Sequence, residues 1–190
     1  MAQCPDAWWQ PITANFNTGM MRAPIRGLVI HITDGLGNLN SVWADFNRPA
    51  KRASAHFCVD KLGDMWQFID TDNRAWAIDG DSQDAQWISV ENVATLGQQL
   101  TVEQVLTCAM LLRWLHQIYQ VPFKRAHNAS ESGLGYHHMF RIGDHVCPGV
   151  PVRLQLEGIV RQAWYMWWRD TGDDSVPLYI RALGAGPDQP

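Results

Sequence analysis

The 190-residue chain lacks several things, and each absence narrows what it can be. It has no excess of one charge: 15 Lys and Arg stand against 19 Asp and Glu, for a net charge of −4. That balance offers no basic surface to a polyanion, so no nucleic-acid partner and no anionic membrane is expected. No segment approaches the roughly 20 apolar residues of a membrane span, so membrane insertion is not expected. Residues Met1 to Trp9 have neither a basic start nor an apolar run, unlike a Sec signal peptide. The expectation is synthesis in the cytoplasm, with some other route of release if the protein acts outside. The four cysteines, Cys4, Cys58, Cys108 and Cys147, form no Cys-x-x-Cys pair, and a disulfide framework is not indicated. Internal repeats and low-complexity tracts are also missing.

What remains is a globular composition, 46% hydrophobic with ten tryptophans. Disorder is not expected over most of the length. Residues 1–25 read as an irregular lead-in broken by Pro5, Pro11, Gly19 and Pro24, with Trp8 and Trp9 placed to pin it to the body. The run Gly27–Thr33 is continuously apolar around His31, as in a central strand covered on both faces. Gly35-Leu36-Gly37 lacks the third glycine of a dinucleotide loop. A short helix fits Asn38–Phe46. Ser54–Asp60 alternates as a strand, with Ala55, Phe57 and Val59 on one face and His56 and Cys58 on the other. Lys61–Gly63 is a turn, and Asp64–Ile69 returns as a hairpin partner. Trp87–Val93 is a further strand with Trp87, Ser89 and Glu91 on one face.

Thr101-Val-Glu-Gln104 is a capping box opening a long helix with an apolar stripe through Val102, Val105, Leu106, Ala109, Met110, Leu112 and Leu115. Pro151 starts a last helix whose predicted buried face runs from Val152 through Leu156, Ile159, Val160 and Ala163 to Trp164 and Trp167. Residues 171–190 are Asp-, Gly- and Pro-rich and read as a tail or linker. The sum is one domain over 26–170 of class α/β (α+β), a central mixed β-sheet flanked by helices.

The chemistry concentrates in Gly133–Gly149, which holds His137, His138, His145 and Cys147 in a glycine-punctuated run. Thiolate and imidazole are the ligands Zn²⁺ prefers. A loop of this kind supplies two ligands, and His31 at the end of its strand is the proposed third. One thiolate with two imidazoles leaves the fourth position open to water, the arrangement of a catalytic site. His137 and His138 are adjacent and point apart, so either one is the ligand. His145 lies two residues from Cys147, aimed at whatever the metal binds. Glu91 is the only charge in its strand, and an apolar setting suits a carboxylate to general-base work. His116 and His127 read as structural or solvated.

Taken together, these segments resemble the zinc-dependent N-acetylmuramoyl-L-alanine amidases of the type-2 amidase and peptidoglycan-recognition superfamily. Leu28-Val-Ile-His-Ile-Thr33 looks like the strand of the first ligand. Ala53-Ser-Ala-His-Phe57 with Gly63–Ile69 is similar to the family hairpin, and Arg74-Ala-Trp-Ala77 to the tryptophan strand after it. Ile88-Ser-Val-Glu91 matches the strand of the catalytic Glu. Gly135-Tyr-His137 and His145-Val-Cys-Pro-Gly149 match the remaining ligands. The resemblance covers about residues 26–160. It implies zinc on His31, His137 and Cys147, Glu91 as the proton-transfer residue, and His145 stabilising the oxyanion. It also implies substrate contacts at His56, Trp66 and Trp76. The bond cut would join the lactyl group of N-acetylmuramic acid to L-alanine of the stem peptide. The chain departs from many members at Ala55 and Ala77.

Two other readings belong to different classes. A peptidoglycan-recognition module would bind muropeptide without metal, and a cysteine hydrolase would use Cys147 as nucleophile. On the amidase reading the expected site of action is the cell wall. Release would be holin-dependent in a lysin; an injected antibacterial toxin would have an immunity protein as partner; a cytosolic muropeptide-recycling enzyme would need no release.

Overall fold

The chain was described from a computed structural model, which covers residues 2–35, 37–78, 81–140, 146–173 and 175–181. In chain order the elements are β1 (Trp8–Trp9), β2 (Phe16–Asn17), β3 (Gly27–Ile32), α1 (Leu39–Phe46), β4 (Phe57–Val59), β5 (Met65–Gln67) and β6 (Arg74–Ala75). They continue with α2 (Asp81–Asp84), β7 (Trp87–Asn92), α3 (Val102–Tyr119), β8 (Gly133–Tyr136), α4 (Val150–Thr171) and α5 (Leu178–Arg181). Among the described residues, six strands form one sheet in the order β1-β5-β4-β7-β3-β8, and β2 pairs with β6 separately. Strands β4, β7, β3 and β8 are mutually parallel, whereas β5 returns antiparallel to β4, so the sheet is mixed as expected. No described helix is long and apolar enough to cross a membrane.

Strand β3 shows why its sequence is apolar without alternation: all six of its residues are buried. Leu28, Ile30 and Ile32 meet Leu111, Leu112 and Leu115 of α3 and Leu156 and Ile159 of α4. Val29 faces the other way, into a cluster with Trp87, Met139 and Phe140. The two-residue period of a strand thus feeds two separate cores. A third cluster places Cys58 and Phe68 under Leu39, Val42 and Phe46 of α1. Helix α3 begins where its capping box predicts: Thr101 Oγ1 accepts from the Gln104 amide, and the Gln104 side chain accepts from the Thr101 amide. All four cysteines are free.

The β3–β8 pair is held by a glycine contact. Gly27 is in register with Gly133, and a Cβ on Gly27 would lie 1.9 Å from the Gly133 carbonyl oxygen. Gly133 has φ +129°, and its own Cβ would meet the Lys124 oxygen at 2.2 Å. Only residues without side chains let these backbones approach so closely.

The structure corrects several expectations. The lead-in is part of the fold: Cys4 and Ile12 are buried, and β1 adds as a parallel strand on β5. Backbone bonds from Gln10 to Gln67 (2.9 Å) and from Ile12 to Phe68 (3.1 Å) pin it. The side chains of Trp8 and Trp9 do not pack against the body; Trp8 is 76% exposed. Strand β4 starts only at Phe57, so Ala55 escapes the alternation and packs with Cys58. Trp164 and Trp167 are only partly buried, at the edge of the core. The expected tail starts with structure, since α5 packs on α4 and buries Ile180.

His56 is a core residue. Its ring is fully buried, with Nε2 3.0 Å from the Asn73 carbonyl and Nδ1 accepting from the Ser89 amide at 3.1 Å. A carbonyl can only accept, so Nε2 carries the proton and the ring is neutral. Protonating Nδ1 would break its bond to the Ser89 N–H. Burial pushes the pKa of His56 down to about 4, partly offset by the Asn73 bond.

Two outcomes follow. Gly27→Ala should lower unfolding stability by about 3 kcal/mol, the upper range for forced overpacking; a denaturation midpoint close to wild type would contradict the contact. His56 refuses a proton that the unfolded chain accepts near its ordinary value of 6.5, so stability should be lost as pH falls from there through about 4. His56→Gln should flatten this decline in melting temperature; an unchanged slope would count against it.

Candidate metal and catalytic site

Three parallel strands deliver their carboxyl ends to one edge of the sheet. In open sheets of this kind that edge is where ligands bind. His31 on β3 is in direct register with Glu91 on β7, so the two side chains rise from the same face. Strand β8, on the other side of β3, ends at Tyr136, and His137 opens the 3₁₀ turn His137–Phe140 that follows. Cys147 arrives from the turn before α4. Its carbonyl accepts from the His138 amide at 2.9 Å, and its Sγ accepts from the Ile32 amide at 3.4 Å. Cys147 is therefore tied through its thiol to the residue after His31 and through its carbonyl to the residue after His137.

One ligand atom each from His31, His137 and Cys147 lies within 4.8 Å of the others. The two imidazole centroids are 4.6 Å apart, tilted by 48°. Ligand atoms of tetrahedral zinc stand roughly 3.3–3.8 Å apart, so closing around an ion needs shifts of no more than about 1.5 Å. Of the two adjacent histidines, the geometry gathers His137. His138 instead borders a neighbouring apolar hollow with Val146, Gly149 and Arg153. Asn92, the register partner of Ile32, steadies the strand end: its Nδ2 donates to the His31 carbonyl at 3.1 Å, and its Oδ1 accepts from the Cys108 thiol.

The electrostatics fit a cation. Glu91 is half-buried, with a sealed Oε2 that no hydrogen bond satisfies. Burial raises its pKa to about 8, against a smaller downward pull from Lys51. Burial likewise pushes the Cys147 thiol up to about 12, helped by the Glu91 charge and opposed by the Ile32 amide. A thiol so raised is a poor nucleophile, which disfavours the cysteine-hydrolase reading. A divalent ion held beside the two imidazoles would offset the cost of ionising both groups.

These groups open into a cleft of about 400 Å³ lined also by Lys51, Asp34 and Trp76. Of the expected substrate contacts, Trp76 borders the cleft, with its Nε1 donating to Asn17. His56 lies in the core, and Trp66 packs edge-on against Phe68 (6.4 Å between centroids) beside the cluster under α1. Neither reaches the cleft, because the strand face that carries Trp66 is covered by α1. His145 lies outside the described residues. Lys51 and Asp34 escaped the sequence reading; each sits in a connection whose local pattern carries no signal of chemistry.

The chain matches the protein family described as N-acetylmuramoyl-L-alanine amidase over residues 21–150. No curated protein sequence matches it significantly. Among solved structures it is similar to a selenomethionine derivative of AmpD, with TM-score 0.66 and 17% identity over 83% of this chain and 96% of that one. It is also similar to the Staphylococcus aureus hydrolase AmiA, with TM-score 0.67 and 16% identity over 93% and 90%. The endolysin N-acetylmuramoyl-L-alanine amidase LysCS of Clostridium intestinale aligns with TM-score 0.60 and 14% identity over 83% and 94%. These likenesses establish the fold, and the family match, which takes in more than half of the chain, establishes the rest: the protein belongs to the N-acetylmuramoyl-L-alanine amidases, enzymes that hydrolyse peptidoglycan.

Proposed function

We propose that this amidase is a zinc enzyme in which His31, His137 and Cys147 hold the ion and Glu91 moves the proton. The observation that carries the reading is the convergence of these three donors and the sealed Glu91 carboxyl in a single cleft. The bond cut is the amide between the lactyl group of N-acetylmuramic acid and L-alanine of the stem peptide. Zinc bound there would supply Lewis acidity toward the amide carbonyl and acidify the attacking water. Glu91 takes the proton of that water as its oxygen adds to the carbonyl carbon. It then hands the proton to the alanine nitrogen, so the amine leaves neutral and the lactyl group leaves as a carboxylic acid, whose remaining water-derived proton is then lost to solvent. A carboxyl raised toward neutrality by burial is matched to both transfers. His145 is the proposed donor to the developing oxyanion. Trp76 borders the cleft where the substrate lies.

The finer reading is lysis of intact cell wall, in a lysin-like and antimicrobial role, after release from the cytoplasm. Its support is the shared fold with endolysins such as LysCS. Release through a holin, or injection with an immunity protein as counterpart, are the two routes it allows. A metal-free recognition module is disfavoured by the full set of three donors.

Purified sacculi incubated with the protein should release stem peptides with a new N-terminal alanine, seen by mass spectrometry. A strong chelator should abolish this and added zinc restore it. Chelator-resistant cleavage would overturn the metal assignment, and cleavage of soluble muropeptides alone would overturn wall lysis. Glu91→Gln should keep one zinc per chain and lower kcat by about 10²–10⁴; a loss below tenfold would remove Glu91 from its role.

A further inference from the structure

Among the described residues, Lys51 is the only Lys or Arg that lines the catalytic cleft, where the acids are Asp34 and Glu91. It ends the 3₁₀ turn Pro49–Lys51 just after α1. Its Nζ lies 2.6 Å from Oδ2 of Asp45, while Arg48 holds Oδ1 of the same carboxylate. Asp45 is buried on the inner side of α1, and Arg48 is largely exposed to solvent. One carboxylate facing two cations leaves this cluster with a net positive charge. The anchor also fixes an ammonium that would otherwise sample many rotamers, so little further ordering is needed to bind an anion. The side chain keeps 37% of its surface exposed, so it can meet a ligand while still held. It lines the same cleft as Glu91, His137 and Cys147, which places it beside the reacting groups.

We propose that Lys51 is a specificity-determining residue that binds the free α-carboxylate of the second stem residue. The inference rests on the amidase reading above. In the stem, L-alanine is followed by a D-glutamate joined onward through its side-chain carboxyl. Its α-carboxyl therefore projects free, or is capped as an amide. That group sits within about two residue lengths, roughly 7 Å, of the scissile nitrogen. Lys51 pairs with the carboxylate by a charge-assisted hydrogen bond and has nothing equivalent to offer the uncharged amide.

The test uses two soluble muramyl tripeptides that differ only in this carboxyl, free or amidated. Both carry a third residue without a side-chain carboxylate and a blocked C-terminus, which removes every other carboxylate of the stem. The zinc-loaded wild type should favour the free acid by about tenfold to a hundredfold in kcat/KM, mainly through KM. The preference should shrink as salt is added, a readout that needs no variant. Lys51→Met should bring the ratio to within about threefold of unity, and Lys51→Arg should keep most of it, with one zinc per chain in both. A wild type without preference, a preference indifferent to salt, or a Lys51→Met enzyme that retains it would overturn the proposal while leaving the amidase reading intact. Zinc-loaded wild type that cleaves neither substrate would overturn both.

Discussion

The site depends on how closely β3 can lie between β7 and β8. His31 and Glu91 lie on strands, and His137 just after one, far apart in sequence, and parallel pairing in one register brings the carboxyl ends of those strands together. The Gly27–Gly133 contact sets one side of that pairing, since a single methyl group at either position would collide with backbone. On the other side, Asn92 ties the end of β7 to the His31 carbonyl and, through Cys108, to α3. Two cores pack against opposite faces of the same strands beneath this edge. A metal site needs such a support, because ligand geometry has to be right to a fraction of an ångström.

Burial then decides the chemistry. The same sealing that makes β3 a core strand lifts the proton affinity of Glu91 and Cys147. In a metal-free pocket both changes oppose negative charge; beside a divalent cation they become a strong thiolate ligand and a carboxyl suited to move a proton. Lys51, which lines the same cleft, opposes the rise at Glu91 and is itself ion-paired with Asp45. On the proposed reading, metal binding, proton transfer and charge selection share a few side chains whose behaviour is set by what surrounds them.

Much of this was legible in the sequence where a residue's role is local. The continuous apolar run of β3 announces a strand covered on both faces, and the Thr101–Gln104 box announces α3. His31, Glu91 and Cys147 stood out because their residue types conflict with their apolar or turn settings. What was hidden depends on tertiary partners. Strands β1 and β2 are two residues long and exist through pairing to distant chain segments. His56 looks like a groove residue until Ser89 and Asn73 enclose it. Trp66 looks like a substrate contact until it packs against Phe68 beside the cluster under α1. The choice between His137 and His138 turns on a 3₁₀ turn, and Lys51 matters only because α1 sets it at the cleft wall.

The central claim is that three strand ends and one turn build an open metal site with one sulfur and two imidazole donors. X-ray absorption at the zinc edge of the purified, zinc-loaded protein tests it most directly. The account predicts one sulfur near 2.3 Å, two imidazole nitrogens at about 2.0–2.1 Å and one light, exchangeable fourth ligand. A shell without sulfur, with several sulfurs, or with four protein ligands would contradict it.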